Sequence, residues 1–112
     1  MRIKVINPNT TAGMTAKIGE AARAVAAPGT EILAVNPAAG PVSIESHYDE
    51  AVSVLGVLEE VHKGEREGMD GFVLGHELSS ATARDPARWR ALIGDVRAAY
   101  SGTLTYEANW DE

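Results

Sequence analysis

Three short stretches carry side chains able to do chemistry. The first is GFVLGHELSS, Gly71 to Ser80. Phe72, Val73 and Leu74 are an apolar run with a β-branched centre, which reads as a buried strand. The run breaks at Gly75. His76 and Glu77 then stand side by side at the carboxyl end of the strand, where parallel α/β proteins bind ligands. An imidazole next to a carboxylate can move a proton. Glu77 as a general acid would need a raised pKa, and His76 beside it favours the ionised form instead. The plainer reading of Glu77 is a strand-end carboxylate that caps or pairs. The second stretch is Asn7-Pro8-Asn9-Thr10-Thr11, between a strand end and a helix start. Free backbone N–H groups there suit a small anion or a carboxylate; the plainer reading is a turn and an N-cap with nothing bound. The third is Ser43, Ile44 and Glu45, followed by His47 and Tyr48, beyond another strand end on what should be the same face. These are either pocket lining or ordinary loop residues. His47, His62 and His76 lack the ligand spacing that zinc needs, so no metal is expected, and no cofactor is expected either.

The elements that must position these groups alternate along the chain. Arg2 to Ile6 is a short apolar strand broken by Asn7-Pro8-Asn9. Thr10 or Thr11 can cap the helix that follows, in which Met14, Ile18, Ala21, Ala22 and Val25 recur at helical spacing up to Pro28-Gly29. Glu31 to Val35 is a second strand, closed by Asn36-Pro37. A loop with Gly40-Pro41 as turn signal leads to a helix starting near Tyr48 or Asp49, with Val52, Leu55, Leu58 and Val61 as its stripe and Lys63 to Glu67 as a solvated end. Met69 to Leu74 is the third strand. Asp85-Pro86 starts a helix, and Trp89, Leu92, Ile93 and Val96 form its inward stripe. Thr103 to Tyr106 is the fourth strand. The pattern βαβαβαβ predicts an α/β three-layer sandwich with a four-stranded parallel sheet and right-handed crossovers. Pattern alone does not give the strand order; a flavodoxin-like order, 2-1-3-4, is expected. The fourth strand would then be an open edge, which points to a homodimer.

Bulk properties narrow the partners. The 112 residues make one domain, with 45% apolar and 23% charged residues as in ordinary globular chains. A net charge of −6 argues against nucleic acid. No apolar run approaches the roughly 18 residues of a membrane span. MRIKVINPN reads as a strand, not a signal peptide, so a cytoplasmic setting is expected. The chain contains no cysteine, which removes disulfides, thiolate metal sites and cysteine nucleophiles.

MRIKVINPNTTAGMT, followed by TEILAVNPAAGPVSIESHYDEA, resembles the N-terminal half of the hydantoin and aspartate/glutamate racemase family, over residues 1–74. The resemblance implies two flavodoxin-like lobes with the active site between them, and one cysteine from each lobe working on opposite faces of the substrate's α-carbon. Asn9, Thr10 or Thr11, and Ser43, Ile44 and Glu45 would line the substrate pocket. The first-lobe cysteine would stand about where His76 stands. Because the chain is about half the length of such a racemase, it is expected to supply one face of a two-base site.

FVLGHELSS through TLTYEANWDE resembles, over residues 72–112, a βα segment of a TIM-barrel glycoside hydrolase of the β-mannanase-like group. The resemblance places Glu77 at that family's acid/base carboxylate and Trp110 at its sugar site. The second carboxylate that retaining hydrolysis requires, about 5–5.5 Å away, would come from a later strand. Both resemblances meet on the third strand. The expectation is therefore an engineered chimera, residues 1–74 racemase-like and residues 75–112 glycoside-hydrolase-like, serving as a scaffold with no selected catalytic activity. Two other readings stand beside it. One is residual racemase-like proton transfer on a hydantoin or acidic amino acid, with His76 or Glu77 in the thiol's place. The other is a weak carboxylate- or anion-binding half-site at Asn9 to Thr11 and Ser43.

Overall fold

The runs RIKVI and EILAV form β1 (Arg2–Ile6) and β2 (Glu31–Val35). Each stops at an Asn-Pro pair, since proline has no N–H to continue the ladder. The computed structural model describes residues 1–76 and 86–107. The remaining elements are α1 (Ala12–Val25), α2 (His47–Arg66), β3 (Gly71–His76), α3 (Pro86–Ala99) and β4 (Thr103–Glu107). The sheet order is β2-β1-β3-β4, with every neighbouring pair parallel. This is the expected flavodoxin-like order, and it leaves β2 and β4 as edges.

Strand alternation separates the two faces of the sheet. In register, Leu33, Lys4, Phe72 and Leu104 form one row, and Val35, Ile6 and Leu74 the next. These rows face α2 and α3, where Val57, Val61 and Val96, with Met69 from the connection between α2 and β3, complete the buried core. Lys4 is the one charged member of the row. Its ammonium donates to the Glu60 backbone oxygen at 2.8 Å and pairs with the Glu60 carboxylate at 3.1 Å. On the opposite face α1 packs on β2, so closely that a Cβ on Gly19 would lie 2.9 Å from the Ala34 Cβ.

The helices differ from their expected stripes. In α1 the buried residues are Thr15 and Gly19, while Met14 and Val25 are exposed. In α2 the buried residues are Ser53, Val57, Glu60, Val61 and Gly64, while Val52 and Leu55 face solvent. Leu58 and Val61 of the expected α2 stripe, and Ile93 and Val96 of the α3 stripe, do pack on the core; close approach and the partner of Lys4 rotate the rest of the inner faces. Helix α2 starts one or two residues earlier than expected, because Ser46 caps it: the Ser46 hydroxyl oxygen accepts from the Asp49 N–H at 3.2 Å. It ends in the charged stretch Lys63 to Glu67, as expected, with Glu65 to Glu67 exposed; only Gly64 there is buried, where it lets the Phe72 ring lie against the helix backbone. Gly68, at φ 73°, then reverses the chain. Strand β3 does not break at Gly75 but runs on to His76, paired with β4. The side chains of Trp89 and Leu92, and Glu77, Asp85 and Trp110, lie outside the described set.

Candidate functional site

The register of β1 on β2 builds the site. Ile6 pairs with Val35, and the Asn7 N–H adds one more rung by donating to the Val35 oxygen at 2.8 Å. The two Asn-Pro turns therefore open side by side at the carboxyl edge of the sheet. Asn7 is buried. Its Nδ2 donates to Asn9 Oδ1 at 2.9 Å and to Thr15 Oγ1 at 3.1 Å. Asn9 Oδ1 also accepts the Thr11 N–H at 3.0 Å. The orientation of the Asn9 amide follows, because a backbone N–H can only meet the oxygen end. Asn9 Nδ2 is left with a thioether, Met14 Sδ at 3.3 Å, although Asn9 is only 8% exposed. Sulfur is a weak acceptor, so among the described residues this buried N–H pair has no strong acceptor.

Helix α1 begins beside it. Thr11 is its N-cap residue by position, but its hydroxyl caps no helix N–H and the first turn holds no acidic side chain. The hydroxyl donates to the Val42 oxygen at 2.6 Å, while the Thr10 N–H donates to the Pro41 oxygen at 2.9 Å. These bonds draw the loop after β2 across the start of α1. The helix start thus keeps backbone donors and its positive dipole end for a ligand. Asn9 and α1 together offer N–H groups to an acceptor oxygen.

The remaining expected residues are placed less uniformly. Ser43 follows Val42 and is exposed near the helix start, and Ile44 is half-buried. Glu45 keeps its side chain in solvent and gives its backbone N–H to Asp49 Oδ2 at 3.0 Å. That bond, with the Ser46 hydroxyl, holds the Asp49 carboxyl below its ordinary range. Glu45 and His47 belong to the start of α2; His47 pairs with Glu50 at 3.4 Å. Strand β3 brings the His76 backbone to the carboxyl edge, opposite Glu107. Two network members, Thr15 and Asn36, are not singled out by sequence reading. The repeat of Asn-Pro after β1 and after β2 was the available signal for Asn36. For Thr15 it was the position one turn after Thr11.

Fold and site together define a flavodoxin-like α/β unit with a polar carboxyl edge, and comparison with known proteins gives its family. The family model for Asp/Glu/Hydantoin racemase matches residues 3–75. A hydantoin racemase of Pseudomonas sp. (strain NS671) is 58% identical over 74 residues, covering 66% of this chain and 30% of that protein. A hydantoin racemase of Rhizobium meliloti is 47% identical over 107 residues, covering 94% of this chain and 44% of that protein. The solved allantoin racemase from Klebsiella pneumoniae superposes with a TM-score of 0.65 at 35% identity, covering 96% of this chain and 58% of that one. The chain belongs to the Asp/Glu/Hydantoin racemase family. It spans less than half the length of the curated relatives it matches.

These matches overturn the chimera. The Rhizobium relative and the Klebsiella structure both run across the supposed seam at β3, and nothing supports a glycoside-hydrolase segment. A strand, a polar strand end and a helix with an apolar stripe are what any parallel βα unit requires, so that local likeness carried no lineage. The reading of the chain as an engineered scaffold without selected activity falls with it.

Proposed function

We propose that this chain is a racemase lobe that holds a hydantoin-type ring, or an acidic amino acid, by a carbonyl or carboxylate oxygen and exchanges the proton on the adjacent carbon. The observation that carries this reading is the buried Asn9 amide, whose N–H pair meets only a thioether among the described residues. It is supported by membership of a family whose relatives named above are hydantoin and allantoin racemases. Removing a proton next to a carbonyl builds negative charge on the oxygen. Donors fixed in place beforehand stabilise that charge without reorganising. Asn9 Nδ2 and the uncapped start of α1 are such donors, with Ser43 at their margin.

A base must then stand at the same edge of the sheet, and in a chain without cysteine it is not a thiolate. We assign His76, whose backbone β3 delivers to that edge. An imidazole is half-ionised near neutral pH, the range in which a general base is most effective.

Asn9→Asp tests the donor role. The carboxylate can still accept from Asn7 and from the Thr11 N–H, so the turn is kept. The N–H pair is replaced by a negatively charged acceptor. Affinity for a hydantoin methylated at the ring α-carbon, measured by titration calorimetry, is expected to fall about 10–100-fold. Unchanged affinity would show that Asn9 does not hold the ligand oxygen.

A further inference from the structure

We propose that Thr15 is a positioning residue: a one-way hydrogen-bond relay, Asn36–Thr15–Asn7–Asn9, fixes which end of the Asn9 amide the site presents. The donor and acceptor ends of the chain fix its direction. Asn36 Nδ2 donates to the Pro37 carbonyl at 3.1 Å, and a carbonyl can only accept. Asn36 therefore turns Oδ1 toward Thr15, whose hydroxyl donates to it at 2.8 Å. A hydroxyl has one proton, and the Thr11 carbonyl at 3.3 Å competes for it with Asn36 Oδ1 at 2.8 Å. Both oxygens only accept, so either way Thr15 Oγ1 is left as the acceptor for Asn7 Nδ2 at 3.1 Å. Asn7 is thereby oriented with its Nδ2 inward, and the second proton goes to Asn9 Oδ1 at 2.9 Å. Asn7 Oδ1 takes the Asn9 N–H at 3.4 Å. At the far end the Thr11 N–H, which can only donate, meets the same Asn9 oxygen.

The relay is anchored by a backbone acceptor at Pro37 and a backbone donor at Thr11, on segments 26 residues apart in sequence (37 − 11). Asn7 is 2% exposed and Thr15 7%, so water does not readily substitute for a missing member. Polarity set at β2 reaches the ligand side of β1 through these contacts. The consequence is selectivity for ligands that offer an acceptor oxygen over those that offer a donor. Only this consequence rests on the function proposed above; the relay itself does not.

The test is proton–nitrogen correlation spectroscopy of the full chain with amide hydrogen exchange, comparing Thr15→Val and Thr15→Ser. Val keeps the shape and removes the hydroxyl. Exchange of the Thr11 amide is expected to rise about tenfold in Thr15→Val, with shifts of the Asn7 and Asn9 side-chain amides, while the Ile6 and Leu74 ladder amides keep their protection. Ser is expected to restore the wild-type pattern. Affinity for the same methylhydantoin should fall about tenfold in the Val variant and return in the Ser variant. If Thr15→Val does not fold, Asn7→Asp, which has no proton to give Asn9, is expected to expose the Thr11 amide in the same way. Unchanged Thr11 protection, loss spread equally over the ladder amides, or failure of Ser to restore it would overturn the relay. A wild-type chain that ignores methylhydantoin while Thr11 responds as described would remove the function proposed above and leave the relay standing.

Discussion

Phe72→Ala is expected to cost about 3–5 kcal/mol of folding stability, a large share of the roughly 5–15 kcal/mol that holds a domain together. Phe72 is 1% exposed and sits in the middle of the sheet, between Lys4 and Leu104 in register. Its ring meets Tyr100 edge-on, with centroids 4.6 Å apart and planes at 86°. Its other boundary is the α2 backbone at Gly64, which has no side chain to move into a vacated space. A cavity bounded by backbone cannot collapse, so the loss should fall in the upper part of the range. Tyr100 would suffer too. Burial already pushes its phenol above the ordinary value, and its hydroxyl donates to the Met69 oxygen at 3.3 Å. Phe72→Leu keeps most of the volume and should lose about 1–1.5 kcal/mol. Urea unfolding of the three proteins measures the difference. A loss below about 1 kcal/mol for the Ala variant would mean that the ring is not packed as described.

Glu60→Leu is expected to be nearly as damaging, although it makes the core more apolar. Lys4 is 1% exposed, and its ammonium depends on the Glu60 backbone oxygen, the Glu60 carboxylate at 3.1 Å and the Glu67 carboxylate at 3.5 Å. Removing the nearer carboxylate leaves the buried ammonium only the half-exposed Glu67 carboxylate as counter-charge, at about 3–5 kcal/mol. The double variant Lys4→Met, Glu60→Leu removes both charges. Met then lies in a row with Leu33 and Phe72, and stability should return to within about 1 kcal/mol of wild type.

Acid separates the same proteins. Burial alone would raise the Glu60 carboxyl, but hydrogen bonds and charge from Lys63 and Lys4 outweigh it and hold the pKa below its ordinary value of 4.5. A carboxyl depressed in the folded state stabilises the protein above its unfolded pKa. That contribution is lost as pH falls through the folded value. Wild type should therefore lose stability below about pH 4.5 more steeply than the double variant does. Equal slopes, or a double variant as weak as Glu60→Leu, would show that the pair is not coupled.

The same pair explains much of what sequence reading missed. The apolar runs of β1 and β2, their Asn-Pro ends and the crossover rule were enough for a parallel α/β sheet; the strand order, which pattern alone does not give, is the flavodoxin-like one expected as the commonest for such a unit. The inward face of α2 was legible only in part: Leu58 and Val61 pack on the core, Val52 and Leu55 do not. It is set by Glu60, which is inside only because Lys4 is, and by Gly64, which is inside because Phe72 needs the space; neither counts in an apolar stripe. Helix α1 was misjudged for the same reason, since Gly19 approaches Ala34 and brings Thr15 inward. Asn9, Thr10 and Thr11 were legible because turn chemistry is local. Asn36 and Thr15 were not, because only the pairing of β1 with β2 brings them together. The glycoside-hydrolase likeness arose from a βα unit short enough to be shared by unrelated parallel folds. Glu77, on which part of that reading rested, lies outside the described residues.

Deuterium exchange at the ring α-carbon of methylhydantoin in heavy water, followed by proton NMR, tests the central claim most directly. Exchange above buffer that disappears in His76→Ala is the predicted result. No exchange above buffer, or equal exchange in the His76→Ala variant, would contradict a lobe that moves this proton with His76 as its base.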